Sequence, residues 1–229
     1  MIHDKREFAI GAALTAVFLA GLGVVFSPIF ENGRNTLDFL DGVFNSISKA
    51  SAYYVPASRE KARRLEGRAV SVAIKLKDAD QASLAALLLG SSGAAVGVEG
   101  TRLAVSGDLG RILATALTDA DAMFENDGAS VSGRYRVEGR RVLHAWHAAL
   151  GEAMKDLNRQ GMFREAAVVR DSITKAIEPA YNYYGVKAVP MKDMGGIALL
   201  ALIGYVVYTV WYGYAILFLF EGWGLKLEH

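Results

Sequence analysis

Two histidines, His144 and His147, are the residues of this sequence whose type and spacing come closest to a metal site. They occur in "HAWH", within a stretch that we expect to be helical, so both imidazoles lie on one helix face. Glu152 follows about a turn further along, and zinc accepts imidazole and carboxylate ligands. The zinc-enzyme spacing H-E-x-x-H is absent. The pair therefore indicates either a metal site or two structural histidines.

A second group of chemically capable residues is the arginine cluster in "RYRVEGRR", which contains Arg134, Arg136, Arg140 and Arg141. Guanidinium groups bind phosphates and carboxylates with paired hydrogen bonds. The cluster predicts a site for an anion, an acidic partner or lipid headgroups. The alternative interpretation is the solvated edge of a strand.

The patterns that mark common enzyme classes are missing from the chain. It contains 0 cysteines, which excludes disulfides, thiolate metal sites and cysteine nucleophiles. No G-x-S-x-G, P-loop or G-x-G-x-x-G pattern occurs. In "VSGDLGRI" two glycines lie between a strand and a helix, but Asp108 repels a phosphate there. We therefore expect no catalytic residues and no cofactor. The net charge of +1 offers no global attraction to nucleic acid.

Two long uncharged segments, 8–26 and 195–220, dominate the ends of the sequence. About 20 apolar residues are needed to cross the hydrocarbon core of a bilayer, so both are long enough to be transmembrane helices. The positive-inside rule is close to a tie for the flanking residues. An uncleaved first span preceded by Lys5 and Arg6 favours both termini in the cytoplasm and an extracytoplasmic central domain, with the chain in the cell (inner) membrane.

The second span carries tyrosines at its centre, although tyrosine usually occurs at the membrane interface. Tyr205, Tyr208 and Tyr212 fall on one helix face, with Thr209 nearby. The first span carries a stripe of small residues, Ala12, Ala16, Ala20 and Gly23 among them, which allows close helix approach. We predict that the tyrosine rings pack into this groove, in the same chain or a neighbouring one. The alternative is a polar path lined by tyrosines.

Between the spans, the sequence predicts an α/β domain. A strand (69–77), a helix (78–90), two strands joined at Glu99-Gly100, a helix (108–124) and a strand (129–137) follow one another. This order, βαββαβ, is that of the ferredoxin-like arrangement. Two helices, about 138–160 and 162–177, are then predicted to form a helical hairpin that leads to the second span.

The fold class that these patterns predict is an α+β membrane protein. Two transmembrane helices flank the ferredoxin-like domain and the long helical hairpin. The predicted boundaries are 1–30 for the first span, 31–67 for an amphipathic helix and a basic connector, 68–137 for the α/β domain, 138–190 for the hairpin, 191–226 for the second span and 227–229 for a tag remnant. The layout is loosely similar to that of the polysaccharide co-polymerases, although the loop is much shorter and the proline-rich approach is reduced to Pro190.

The function that we predict is that of a non-enzymatic, two-span membrane protein. It self-associates or scaffolds a membrane complex through its α/β domain, with lipid and other copies or membrane proteins as partners. The alternative is an oligomeric channel or transport component whose tyrosines line the path. The absence of charged residues within either span counts against an ion relay.

Overall fold

A computed structural model describes residues 2–225. Within these residues the chain divides into two compact units: a hairpin unit, which comprises the part up to residue 48 and the part from residue 188, and a central domain made of residues 49–187. The predicted tag remnant, 227–229, lies outside the described residues. The protein is a mixed α+β chain with two long apolar helices and a small antiparallel sheet.

The hairpin unit is built on two helices, α1 (Lys5–Phe26) and α10 (Met191–Gly222), which pack side by side in antiparallel directions. Both are long and apolar enough to cross a membrane, judged by length and composition. The Asp4 carboxylate caps the start of α1, since it accepts the Arg6 and Glu7 backbone N–H groups at 2.8 and 3.2 Å. A further helix, α2 (Thr36–Ser51), starts in this unit after a short 3₁₀ turn.

The central domain contains the remaining helices and the three strands found among residues 2–225. In chain order these are α3 (Val55–Arg63), β1 (Ala69–Lys75), α4 (Ala79–Ser91), β2 (Ala95–Glu99), β3 (Arg102–Asp108), α5 (Leu109–Phe124), α6 (Gly128–Tyr135), α7 (Gly139–Arg159), α8 (Phe163–Ser172) and α9 (Glu178–Asn182). The predicted hairpin at Glu99-Gly100 and the helices on either side of it are confirmed.

The sheet has the order β1-β3-β2 with both pairings antiparallel. Alternate residues of β1 are buried, and their apolar side chains form one core with helices α4, α5 and α7. The other face of β1 is exposed. The chain order β1, α4, β2, β3, α5 matches the first five predicted elements, but a ferredoxin-like βαββαβ fold is not shown.

The predicted fourth strand, 129–137, is wrong. These residues form α6, whose start is capped by Asp127, with its carboxylate accepting the Ser130 backbone N–H at 3.1 Å. Val131 and Tyr135 are buried four residues apart, the spacing of one helix face. The burial of these two side chains follows the period of a helix and not the strand-like alternation of apolar residues in the sequence.

Helix α7 closes the edge of β1 that a fourth strand would occupy. The Asp156 carboxylate accepts the Ala73 backbone N–H at 2.9 Å, and the Gln160 amide donates to the Ser71 carbonyl at 2.9 Å. Two outward-facing backbone groups of this edge strand are thus satisfied by side chains of α7 and of the residue that caps its C-terminus.

The predicted basic connector after residue 51 is largely a helix, α3, with Val55, Ser58 and Ala62 buried. Helix α7 packs against α8, so the predicted helical hairpin is present. The second helix does not stop before Pro179: α8 passes through a π-helical turn at Ile173–Ile177 into α9, where the proline occupies the first turn. Pro179 directly follows the π-helical turn, where the Glu178 N–H bonds the Ile173 carbonyl, so the proline without an N–H lies where the regular helical bonding pattern is already interrupted.

Candidate functional site

The contact surface between α1 and α10, which we call the seam, contains an aromatic cluster. The Phe18 ring stacks on Tyr208, with centroids 4.4 Å apart, and lies 5.1 Å from the Tyr212 ring. The Trp211 indole N–H donates to the Leu14 carbonyl at 3.1 Å. In an apolar medium such an interhelical hydrogen bond satisfies a group that would otherwise be unpaired. The sequence prediction missed both Phe18 and Trp211.

Two glycines bring the helix backbones of the seam close together. A Cβ on Gly11 would lie 2.6 Å from the Leu219 nitrogen, and one on Gly222 would lie 2.5 Å from the Phe8 nitrogen. Any side chain at either position would push the helices apart. Small residues serve this purpose at many transmembrane helix contacts. The signal was present in the sequence, but the prediction assigned the close approach to the alanine stripe instead.

The three predicted tyrosines lie beside the seam and differ in how much of their surface is exposed. Tyr208 is half-buried, whereas Tyr212 and Tyr205 are 50% and 65% exposed. Thr209 donates to the Tyr205 and Val206 carbonyls of its own helix. Within residues 2–225, none of the three phenolic hydroxyls has a hydrogen-bond partner.

The small-residue stripe lies on the face of α1 that points away from α10. At about 100° per residue, Ala12, Ala16, Ala20 and Gly23 are centred opposite the seam residues Gly11 and Phe18. All four are exposed. The tyrosines therefore do not pack into this stripe in the same chain, because α10 contacts α1 through the opposite face, which contains Gly11. Packing against a neighbouring chain stays a prediction.

The four predicted arginines do not lie along one strand edge. The Arg134 guanidinium binds the buried Asp119 carboxylate, so it is already paired. Arg136 follows helix α6 in the left-handed conformation, with φ of 56°. The Arg140 guanidinium lies 5.8 Å from the Tyr181 ring and 5.5 Å from the Tyr184 ring, and it donates to the Tyr184 carbonyl at 3.3 Å.

Arg140, Arg141 and His144 line an open cleft of about 690 Å³ at the starts of helices α4 and α7. Asp78 and Glu138 line it as well, and both carboxylates cap helix N-termini. This mixture of charges does not select an anion, since the acids repel it where the helix ends attract it. The anion or headgroup site stays a prediction.

The two predicted histidines line one cleft of about 350 Å³ together with Glu178, and His144 also faces a second cleft. The His147 Nε2 lies 3.1 Å from a Glu178 oxygen on α9, and both side chains are partly exposed. His144 lines the cleft at the start of α7. Across the described residues, no group of three His, Cys, Asp or Glu side chains is close enough to hold a metal ion. Glu152 instead binds Lys155, at 2.6 Å.

Lys49 forms a buried junction that the sequence did not reveal. It is 2% exposed, and its ammonium group donates to Asn126 Oδ1, the Tyr183 carbonyl and the Val186 carbonyl at 3.0, 3.1 and 2.7 Å. Burial among neutral acceptors lowers the pKa of Lys49, although the charge of Glu125 acts in the opposite direction. The junction joins the two ends of the central domain.

Asp119 is a fully buried carboxylate at the centre of the domain. It accepts hydrogen bonds from Tyr135 and Trp146, each at 2.8 Å, and from Arg134. Burial raises its pKa, and the three donors oppose that shift. Because α5, α6 and α7 all contribute, the cluster fixes these helices relative to one another. From sequence, Asp119 is indistinguishable from the solvated acids near it.

Comparison of the chain with protein-family models, curated proteins and solved structures gives no significant match. Among the groups of residues described above, the hairpin of α1 and α10 is the candidate site, because it carries both the aromatic seam and the exposed stripe of small residues.

Proposed function

We propose that this chain is a non-enzymatic integral membrane protein that self-associates in the bilayer and serves as a scaffold subunit. Helices α1 and α10 cross the membrane as a hairpin, and the central domain provides a further interaction surface. Lipid and additional copies of the chain are its partners. The observation that carries this proposal is the position of the small-residue stripe, which lies opposite the seam and is left free by the chain's own packing.

The stripe supports helix association because lipid tails do not favour burial of apolar surface between helices. Association in a bilayer depends on close backbone approach and on polar contacts. Ala12, Ala16, Ala20 and Gly23 offer such an approach on the free face of α1. A partner helix is the occupant that this geometry fits.

The exposed tyrosines offer polar contacts on a second surface, which lies beside the seam on α10 and not on the stripe. An unpaired hydroxyl in hydrocarbon is unfavourable by several kcal/mol on alkane-transfer scales. Tyr205 and Tyr212 have free hydroxyls and expose half or more of their surface. A neighbouring helix that offers carbonyl or hydroxyl groups would satisfy them, and the same residues would then select that neighbour.

The connection to the central domain fits a two-span topology. Helix α1 ends at Phe26 and α10 begins at Met191, and these positions lie towards the same end of an antiparallel hairpin. The segment between them would therefore be on one side of the membrane. Because Lys5 and Arg6 precede an uncleaved first span, we propose that this side is outside the cytoplasm and that both termini are inside.

An oligomeric channel is the alternative function, and the free tyrosine hydroxyls are the observation that favours it. Copies arranged with these hydroxyls inward would line a polar path. Flux of small solutes through proteoliposomes that changes with Tyr208→Phe would support this function. A closed ring that conducts nothing would leave the scaffold as the function.

Fluorescence energy transfer between labelled copies in liposomes tests self-association. We expect transfer in the wild type that falls as lipid dilutes the protein. Ala16→Leu should abolish it, because the larger side chain fills the approach face. Val17→Leu is the matched control, since Val17 is also exposed on α1 but lies about 100° from Ala16. Equal transfer in both variants would contradict the proposed interface.

A further inference from the structure

The two edges of the three-stranded sheet are treated differently by the rest of the domain. The β1 edge is closed by Asp156 and Gln160 from α7. The β2 edge has no such cover: all of its residues except the half-buried Val96 are exposed, and Val98 is 56% exposed. Soluble domains usually block an open edge with lysine, proline, a bulge or a covering element. The sequence of β2, "AVGVE", contains no proline or lysine.

The backbone groups that face outward on β2 follow from the strand register. Ala73 directs its N–H away from β3, towards Asp156. Its partner on β3, Ala104, therefore directs its groups towards β2, where it opposes Gly97. Because orientation alternates along an antiparallel strand, Val96 and Val98 direct their N–H and C=O groups to the open edge. In the part of the chain that the structure describes, nothing binds these four groups.

We propose that the open edge of β2 pairs with β2 of a second copy of this chain. The two strands run antiparallel about a twofold axis at Gly97. Val96 exchanges two hydrogen bonds with the partner's Val98, and Val98 exchanges two with the partner's Val96. The result is one continuous six-stranded sheet. This proposal rests on the proposed self-association and gives it a second contact, outside the hairpin.

The strand is self-complementary in this register, which is why a second copy is the occupant. All four outward groups of each strand are satisfied at once. Gly97 opposes its own counterpart at a non-hydrogen-bonded pair, where Cα atoms approach to about 4.5 Å. The valines form two cross-strand pairs of a favoured type. Glu99, the only charged residue of the strand, opposes Ala95, so the two Glu99 carboxylates lie at opposite ends.

The chain's lack of native cysteine allows a direct test of the register. We would introduce Gly97→Cys, Ala95→Cys and Glu99→Cys singly into the full chain in detergent and in liposomes, under mild oxidation. A Cβ at Gly97 meets nothing closer than 3.8 Å within the chain, so the substitution fits. Disulfides require Cα atoms about 4.4 to 6.8 Å apart.

Gly97→Cys is expected to form a homodimer rapidly. Ala95→Cys and Glu99→Cys should not do so alone, but a mixture of the two should cross-link, because these positions oppose each other in the dimer. No dimer of Gly97→Cys, or equal dimer formation by all three single variants, would overturn the proposal. Occupation of the edge by an extended peptide of another protein would also appear as loss of the Gly97→Cys dimer.

Val98→Pro in the Gly97→Cys background tests the hydrogen bonds. The Val98 N–H points outward, so proline removes it without removing a bond to β3, and proline is found on edge strands in this orientation. Two of the four intermolecular bonds are lost, and we expect dimer formation to fall about tenfold. Val98→Lys, a charge on the edge, should act in the same direction and guards against misfolding of the proline variant. Unchanged dimer formation in both would overturn the pairing.

The outcomes separate this proposal from the function that it extends. If Gly97→Cys does not cross-link but Ala16→Leu abolishes energy transfer, the sheet contact is wrong and membrane self-association stands. If Gly97→Cys cross-links in detergent while energy transfer is insensitive to Ala16→Leu, the sheet contact stands and the hairpin interface is wrong.

Discussion

The hairpin and the central domain bury their apolar residues in different ways. Within the apolar segments of α1 and α10, 6% and 0% of residues are buried by the chain itself. In α5 of the central domain, by contrast, an entire apolar face is buried in the core. The domain thus completes its own interior, whereas the hairpin depends on its surroundings. Substitutions in the domain should change unfolding, and those on the free faces of the hairpin should change association.

Asp119→Asn should produce the largest loss of stability. The Tyr135 and Trp146 donors share the Oδ2 atom, so an amide oxygen can accept both, but the amide NH2 then faces the Arg134 guanidinium, which loses its acceptor and its counter-charge. Leaving buried partners unsatisfied costs about 3 kcal/mol. Urea unfolding of the full chain in detergent measures this loss. Asp121→Asn, on the same helix but in the more exposed pair with Arg59, should cost less than about 1 kcal/mol. Equal losses of stability in the two variants would contradict the claim that the buried Asp119 cluster stabilises the domain more than an exposed ion pair does.

Gly11→Leu should disrupt the seam of the hairpin. Its Cβ alone would lie 2.6 Å from the Leu219 nitrogen, and overpacking of this kind costs about 1 to 3 kcal/mol. The control is Gly21→Leu, because no atom lies within 4 Å of a Cβ at that position. Thermal denaturation in detergent, followed by hydrogen exchange in α1 and α10, should show a loss for Gly11→Leu. A larger loss for the control would contradict the helix contact.

Asn126→Gly should loosen the segment 183–187 by about 1 to 2 kcal/mol. The Asn126 amide accepts from Lys49 and the Gly185 N–H and donates to Val186. Its φ of 64° suits glycine, so the variant removes the hydrogen bonds without backbone strain. Hydrogen exchange of the segment is the measurement. Asn126→Asp keeps the acceptor oxygens and should protect the segment better, and equal protection in the two variants would count against the junction.

The smallest effect concerns pH and Lys49. Burial lowers its folded-state pKa below the ordinary value of 10.5, so the unfolded chain binds more protons between the two pKa values. The free energy of unfolding should therefore rise with pH through that window. Lys49→Met should remove this rise, as measured by urea unfolding at a series of alkaline pH values. The difference between wild type and Lys49→Met is the diagnostic quantity, because the raised pKa values of Tyr53 and Tyr135 lower the free energy of unfolding over the same alkaline range. A difference that falls with pH would show that the ammonium is stabilised by its site.

Sequence periodicity predicted the secondary structure correctly where a pattern fitted only one type of element. The apolar segments, the β1 alternation and the Glu99-Gly100 hairpin each match the structure. The strand predicted at 129–137 failed because "ASVSGRYRV" fits both periods, and the long-range bond from Tyr135 to Asp119 favours the helix. No local window contains that information.

The sequence indicated which types of residue belong to the candidate site, but not which helix faces are in contact. The sequence singled out the tyrosines and the small residues as the unusual features of the spans, and their role stays a prediction. Which face of α1 meets α10 depends on the backbone approach at Gly11 and on the Phe18 ring, and either face offered a plausible groove. The Lys49 junction joins residues more than 70 positions apart, so spacing could not reveal it.

The mass of the native assembly, measured by native mass spectrometry from lipid nanodiscs, tests the central claim most directly. We predict two or more chains per nanodisc, at a protein-to-disc ratio at which a monomeric protein would give one chain per disc. We also predict that Ala16→Leu lowers the number of chains while Val17→Leu does not. A wild-type chain that is monomeric under these conditions would contradict the claim that the free faces of the hairpin exist to bind another copy.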